Sequence, residues 1–368
     1  MTEEKPENVG VANPYAMAEV VLKQPIAWDK VGDPRRILED TLGIQYEKLF
    51  DPKYDSPLYA GLRYRPETES MERVEIPPTV EGGPKTLVDA EAVVYLDPGD
   101  FFEDGVELTD PIQGALGDCY LIAAFASVAW SRPYVIAHRV RRKDGSGSFV
   151  DMIEFWKGSA SSKVEINEIV PLNSPGNTFI YARSSDKGEI WPAIYEKAYV
   201  KWRTGRITTA DYAKIAGGDP VGAAAQVTGF TPYYYWTSKH TASDIWSKII
   251  NNCASRKAVN PMVAWTYPSG DASPDNVNYS DANLVANHAY SIYGAQRTNG
   301  QKYIVLRNPW GWKEATMNVD GGNWTAWDIA YPGGPGIWRT ISMATADGIF
   351  ALRVDIFKKY FVGFGVVT

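Results

Sequence analysis

The chain is poor in the residues that carry most nucleophilic chemistry. It holds 2 cysteines, Cys119 and Cys253, and 3 histidines, His138, His240 and His288, in 368 residues. So few cysteines exclude a disulfide framework, and an unpaired thiol fits a reducing compartment; a cytoplasmic location is expected. Positive charge is also short: 37 Lys and Arg face 44 Asp and Glu, for a formal net charge of −7. That balance argues against nucleic acid or an anionic membrane as a primary partner. Long apolar runs are missing. The longest, residues 121–130, is too short to span a bilayer and is interrupted by Ser127. The first twenty residues are acidic and lack the basic start and apolar middle of a signal peptide. There is no internal repeat, no low-complexity tract and no D-x-[DN]-x-[DN]-G calcium loop.

Aromatic residues, in contrast, are plentiful, with 13 Trp and 22 Tyr available for cores or grooves. The length allows two or three domains at about 150 residues each. Residues 1–84 form a polar, proline-rich leader with one helix over 33–43, which Asp33 caps, Pro34 enters and Gly43 ends. PPTVEGGP, residues 77–84, reads as a linker. Residues 85–218 read as a mainly helical domain. Its second clear helix is WPAIYEKAYVKW, with Trp191, Tyr195, Ala198 and Trp202 on one face, and Met152, Ile153, Phe155 and Trp156 mark a strand. Residues 219–368 read as richer in strands, including NPMVAWTY and the closing GIFALRVDIFKKYF.

The run QGALGDCY, residues 113–120, places a cysteine directly before an apolar helix. Backbone N–H groups and the positive end of the helix dipole favour thiolate over thiol at Cys119. Gln113 lies six residues upstream across a glycine-rich turn, where its amide can meet the oxyanion that thiolate attack creates. Gly114 and Gly117 let the backbone approach a substrate. A buried, inert cysteine is the alternative that residue type alone favours, and these surroundings reverse it.

A nucleophilic thiol needs a base. His138 sits at a basic helix end and His240 just before an N-cap, both surface settings. His288 opens NHAYSIYGA, an alternating segment that reads as a half-buried strand, followed by the turn QRTNGQ and a second strand, KYIVLRNPWGW. A hairpin centred near Thr298 places His288 beside Asn308. That carboxamide would hold the imidazole's tautomer while the other ring nitrogen faces Cys119, and Trp310 would cover the bond from water. An ordinary strand pair with a satisfied core histidine is the alternative.

Five blocks in order, QGALGDCY, GEIWPAIYEKAYVKW, GGDPVGAAAQVTGF, NHAYSIYGA and RNPWG, resemble the protease core of the calpain family. Tyr120 stands where that family usually has Trp. The resemblance implies an α+β, papain-like cysteine protease: a helical subdomain and an antiparallel β-rich subdomain with the active site between them. It implies Cys119 as nucleophile, His288 as general base and acid, Asn308 as orienting residue, and Gln113 with the Cys119 backbone N–H as oxyanion donors. The substrates would be proteins or peptides.

The same resemblance implies Ca²⁺. Asp110 and Glu189 match the acidic ligands of a first site, and Glu103 and Gly105 its backbone ligands; carboxylates and carbonyls suit this hard cation. For a second site Glu314, Asp320 and Asp347 match, but Ile349 replaces a carboxylate, so calcium dependence is expected to be partial or dominated by the first site.

Two other functions use the same residues: a thiol acyltransferase, such as a transglutaminase or peptide ligase, or an inactive core serving as a binding module. The leader either covers the cleft, or is trimmed by the enzyme, or packs on the protease surface. Deleting residues 1–84 is expected to change activity or thermal stability; if neither moves, both the covering and the structural roles fall.

Overall fold

The computed structural model describes residues 93–368, except 104, 138–139, 144–148, 174–176, 208 and 330–335. The leader, its expected helix, the linker and His138 lie outside the described residues. Among the described residues, five helices have seven residues or more: α1 (Cys119–Ser131), α2 (Trp191–Thr204), α3 (Pro220–Thr228), α4 (Ala242–Ile250) and α5 (Val354–Tyr360). Their ends follow local chemistry. Prolines occupy the first turns of α2 and α3, and Gly205 and Gly229 end them in the left-handed conformation. Asp219 caps α3, and Thr241 forms a capping box with Asp244 on α4. His240 sits half-buried just ahead of that cap.

The first half is less helical than its sequence implies. Strands β1 (Val93–Leu96), β2 (Val140–Lys143), β3 (Phe149–Lys157), β4 (Ala160–Asn167), β5 (Val170–Asn173) and β6 (Thr178–Phe179) build two antiparallel three-stranded sheets, β1-β5-β6 and β2-β3-β4. Their polar outer faces hide the alternation that marks a strand; β4 is exposed at six of its eight positions.

The second half is built on an eight-stranded antiparallel sheet. Its members are β7 (Pro232–Trp236), β8 (Cys253–Ala254), β9 (Lys257–Thr266), β10 (Ala289–Thr298), β11 (Gln301–Arg307), β12 (Val319–Asp320), β15 (Ile349–Arg353) and β16 (Phe361–Val367), in the order β12-β15-β11-β10-β9-β16-β7, with β8 against β9. A separate hairpin joins β13 (Asn323–Ile329) to β14 (Gly336–Ser342). The segment read as one closing strand is β15, α5 and β16. Val354, Phe357 and Tyr360 are buried at helical spacing, while Asp355, Lys358 and Lys359 fall between them.

The His288 strand also differs from expectation. β9 is buried at every position and β10 at its first eight, so this is sheet interior rather than a half-buried surface strand. The β10–β11 turn is centred on Asn299 and Gly300, both at positive φ, and pairs Thr298 with Gln301. A bulge at Tyr293 shifts the register, after which Ser291 faces Arg307. Continuing that ladder would set His288 against Trp310, not Asn308.

The core divides into two buried clusters, and α1 joins them. Leu121, Ile122 and Phe125 belong to the first, Ala126 and Trp130 to the second. All thirteen α1 residues are buried. Ser127, which interrupts the apolar run, accepts the Met262 N–H at 2.7 Å and donates to the Met262 carbonyl at 2.8 Å. Ser291 Oγ donates to the Ala123 carbonyl at 2.8 Å, and Trp130 Nε1 to that of Tyr293 at 2.6 Å. The cysteine helix is thus bonded directly to β9 and β10.

A second connection comes from Arg307, the last residue of β11, which is 1% exposed. Its guanidinium donates to the carbonyls of Thr109 at 2.6 Å, Pro111 at 2.7 Å and Asp347 at 3.2 Å. Removing it strands the buried Pro111 carbonyl and two part-buried ones, and a buried orphan carries a desolvation penalty of about 1–3 kcal/mol. Arg307→Met is expected to destabilise the protein by about 3 kcal/mol, read as a lower urea midpoint.

Candidate active site

Cys119 is the first residue of α1 and is buried at 1% exposure. The chain reaches it through a tightly packed loop. Gln113 N–H donates to the Pro309 carbonyl at 2.8 Å, and Gln113 Nε2 to the Leu116 carbonyl at 2.6 Å. One proton of that amide is thereby committed, and the second remains for another acceptor. Gly114 serves a different purpose from the expected substrate approach: a Cβ there would lie 2.2 Å from the Tyr181 carbonyl oxygen. The glycine admits the neighbouring loop, and Ala115 N–H bonds the Ile180 carbonyl at 2.8 Å.

His288 stands just ahead of β10, fully buried. Its backbone exchanges hydrogen bonds with Thr266, N–H to Oγ1 at 2.9 Å and carbonyl from N–H at 3.0 Å. The ring lies 4.8 Å from Trp310 and 5.0 Å from Tyr290, centroid to centroid. Asn308 Oδ1 is 2.9 Å from His288 Nε2 and also accepts the Trp310 N–H at 3.1 Å. A backbone N–H can bond only to the amide oxygen, which fixes the orientation of the carboxamide. Nε2 therefore carries the ring proton, and Nδ1, which makes no hydrogen bond, keeps its lone pair. Asn308 meets His288 although the ladder does not pair them. It lies one residue past β11, where the chain turns and is free of the ladder.

Cys253 lies in the second buried cluster. It is buried, donates to the Ile249 carbonyl at 3.3 Å, and burial pushes its thiol pKa up. Sequence reasoning passed over two carboxyl groups behind Cys119. Asp118, the α1 N-cap residue, makes no capping side-chain bond; its carboxyl contacts that of Glu196 on α2. Both are fully buried, and desolvation holds both above the ordinary carboxylate range. Nothing in their spacing announces that meeting.

Asp110 and Glu189 come together, and Asp186, also missed, joins them: the three offer ligand oxygens within 4.8 Å of one another. The D-x-x-E spacing ahead of α2 is the signal that marks Asp186. Glu189 accepts from Ser184 Oγ at 2.7 Å and from Glu103 N–H at 3.3 Å, which brings the Glu103 backbone to the same place. Asp110 Oδ2 accepts from Glu107 N–H and Trp191 Nε1, while the buried Oδ1 has no partner. Burial and the facing Glu189 push the Asp110 carboxyl up to about 8. An orphaned carboxylate oxygen opposed to a second buried carboxylate is a donor set that fits a hard divalent cation.

Glu314, Asp320 and Asp347 do not converge in this way among the described residues. Glu314 Oε1 accepts the Gly348 N–H at 2.6 Å, near Asp347, whose carboxyl burial raises. Asp320, however, is drawn into β12 opposite Ala351, where it accepts from Gln296 Nε2 and Gly322 N–H. Ile349 is fully buried in β15, where an apolar side chain belongs.

The architecture is therefore a mixed helix and antiparallel-sheet fold with a thiol at a helix N-terminus and an oriented imidazole just ahead of a sheet strand. The sequence model of the calpain family of cysteine proteases matches residues 86–367. This chain belongs to the calpain family of cysteine proteases. It is 26% identical to a thiol protease of Porphyromonas gingivalis (strain ATCC BAA-308 / W83), over 96% of this chain and 86% of that protein. It is 28% identical to the calpain-2 catalytic subunit of Gallus gallus, over 71% of this chain and 36% of that one. For the calpain-1 catalytic subunit of Mus musculus the identity is 31%, over 58% of this chain and 29% of the other. The chain thus spans about a third of the length of these calpain subunits. Among the described residues no helix is long and apolar enough to cross a membrane.

Burial lowers the His288 pKa from 6.5 to about 4, against a raising contribution from Asn308. The unfolded chain therefore takes up this proton first as pH falls. Stability is fully present above pH 6.5 and is lost towards pH 4, by up to about 3 kcal/mol. Urea midpoints measured across that range are expected to fall less steeply in His288→Gln than in the wild type.

Proposed function

We propose that this protein is a papain-like cysteine endopeptidase that hydrolyses peptide bonds through Cys119, His288 and Asn308, with Gln113 assisting. The observation that carries this reading is the double acceptance at Asn308 Oδ1, which leaves His288 Nδ1 as a base. Nδ1 takes the Cys119 proton, and the thiolate attacks the peptide carbonyl. The oxyanion is met by the Cys119 backbone N–H and the second Nε2 proton of Gln113. The imidazolium then protonates the leaving amine. Nδ1, neutral again, deprotonates the water that clears the acyl-enzyme, and the thiol is restored.

Ca²⁺ would be held by Asp110, Asp186 and Glu189 with backbone oxygens of Glu103 and Gly105. Bound there, it would neutralise carboxylates that burial otherwise penalises. The connection to catalysis is short: Asp110 and Gln113 share one loop, fixed by the Arg307 guanidinium and the Pro309 carbonyl. Two free cysteines support the cytoplasmic reading.

A casein-like substrate, assayed across a calcium series, tests both parts. Cys119→Ser is expected to lose activity by a factor on the order of 10³ or more, and Asp110→Asn to need more calcium for half-maximal rate. Equal cleavage by Cys119→Ser removes the catalytic assignment; full wild-type activity in excess chelator removes the calcium one.

A further inference from the structure

Trp312 is large, apolar and 49% exposed. The other large hydrophobic side chains described as exposed, Tyr95, Leu96, Ile337 and Trp338, lie on β1 and β14. Trp312 instead continues the active site outwards. Its ring centroid is 5.4 Å from that of Trp310, which is 2% exposed and lies 4.8 Å from the His288 ring. Imidazole, buried indole and exposed indole form a ladder from the interior to solvent.

The backbone under Trp312 is braced on both sides. Gly311 N–H donates to the Asn308 carbonyl at 3.0 Å, and Asn308 Nδ2 to the Lys313 carbonyl at 3.3 Å. Asn308 N–H is itself held by the Gly348 carbonyl at 2.9 Å. The residue that orients His288 therefore also fixes the turn that presents Trp312. An aromatic ring held on a rigid turn binds an apolar partner with little ordering cost.

The chemistry sets which part of a substrate meets it. The imidazolium gives its proton to the leaving amine, so the peptide beyond the scissile bond departs past the His288 ring. Trp312 stands at most about 10 Å from that ring by the two centroid steps. Extended peptide advances about 3.3 Å per residue, so this is the reach of two or three residues.

We propose that Trp312 is a specificity-determining residue that receives an apolar or aromatic side chain two or three residues beyond the scissile bond, on the leaving-group side. This rests on the endopeptidase reading and names the substrate class that the site prefers.

The test uses fluorescence-quenched peptides identical except at those two positions, which carry Leu or Phe in one set and Ser in the other. Wild type is expected to favour the apolar set in kcat/KM by a factor on the order of ten. Trp312→Ser is expected to erase that preference by slowing the apolar set alone, and Trp312→Phe to keep most of it. Thiol labelling of Cys119 and thermal melts accompany each variant. An unchanged preference in Trp312→Ser overturns the proposal, as does an equal loss on both peptide sets. A folded wild type that labels at Cys119 yet cleaves neither set overturns the endopeptidase reading, and the subsite with it.

Discussion

The buried guanidinium of Arg307 is the contact on which the geometry of the site depends. It ends the interior strand β11 and reaches across to the carbonyls of Thr109 and Pro111. Those carbonyls flank Asp110, and Gln113 follows two residues after Pro111. On its own strand, Arg307 immediately precedes Asn308. One cation therefore sets the distance between the loop carrying Asp110 and Gln113 and the turn carrying Asn308 and Trp310. The Gln113 N–H bond to the Pro309 carbonyl repeats the connection one step closer to Cys119. Carbonyl acceptors suit this purpose. They satisfy a buried guanidinium without adding a carboxylate whose own desolvation would have to be offset.

Around that frame, several buried polar groups are engaged by specific partners. Asn308 serves His288, Trp310 and Lys313 with one carboxamide, so the tautomer of the imidazole and the position of its aromatic cover are set together. Behind Cys119, burial raises the Asp118 and Glu196 carboxyls above the ordinary carboxylate range, which disfavours a full pair of buried charges there. At Asp110 the demand is left open, because its buried Oδ1 has no partner beside the Glu189 carboxylate.

The local elements that the sequence disclosed were those with a strong period or a strong cap. The apolar run after Cys119, the Trp191 face of α2 and the Asn299-Gly300 turn all follow from short-range rules. Elements that escaped were of another kind. β4 alternates against solvent and α5 is hidden between two strands, so neither shows an unambiguous period. The Asn308 contact was anticipated by a ladder that is not formed. The residue arrives because it lies beyond the strand, where a side chain is no longer bound to one face. The acidic groups divide likewise: Asp110 and Glu189 converge, while Asp320 is taken by strand pairing with Ala351.

What the amino-acid order determined by itself was chemical identity: a thiol before an apolar helix, a histidine before a strand, an asparagine before a tryptophan, and too few cysteines for cross-links. Propensity, capping and turn rules act over a few residues, so these features are complete within their own segments. Tertiary structure decided which of them meet. Arg307 beside the Asp110 loop, Glu196 beneath Asp118, Asp186 at the carboxylate cluster and Trp310 against the His288 ring each depend on contacts between residues distant in the chain. Such contacts form only when burial of two apolar clusters outweighs the entropy of ordering the chain, a balance that no single segment contains.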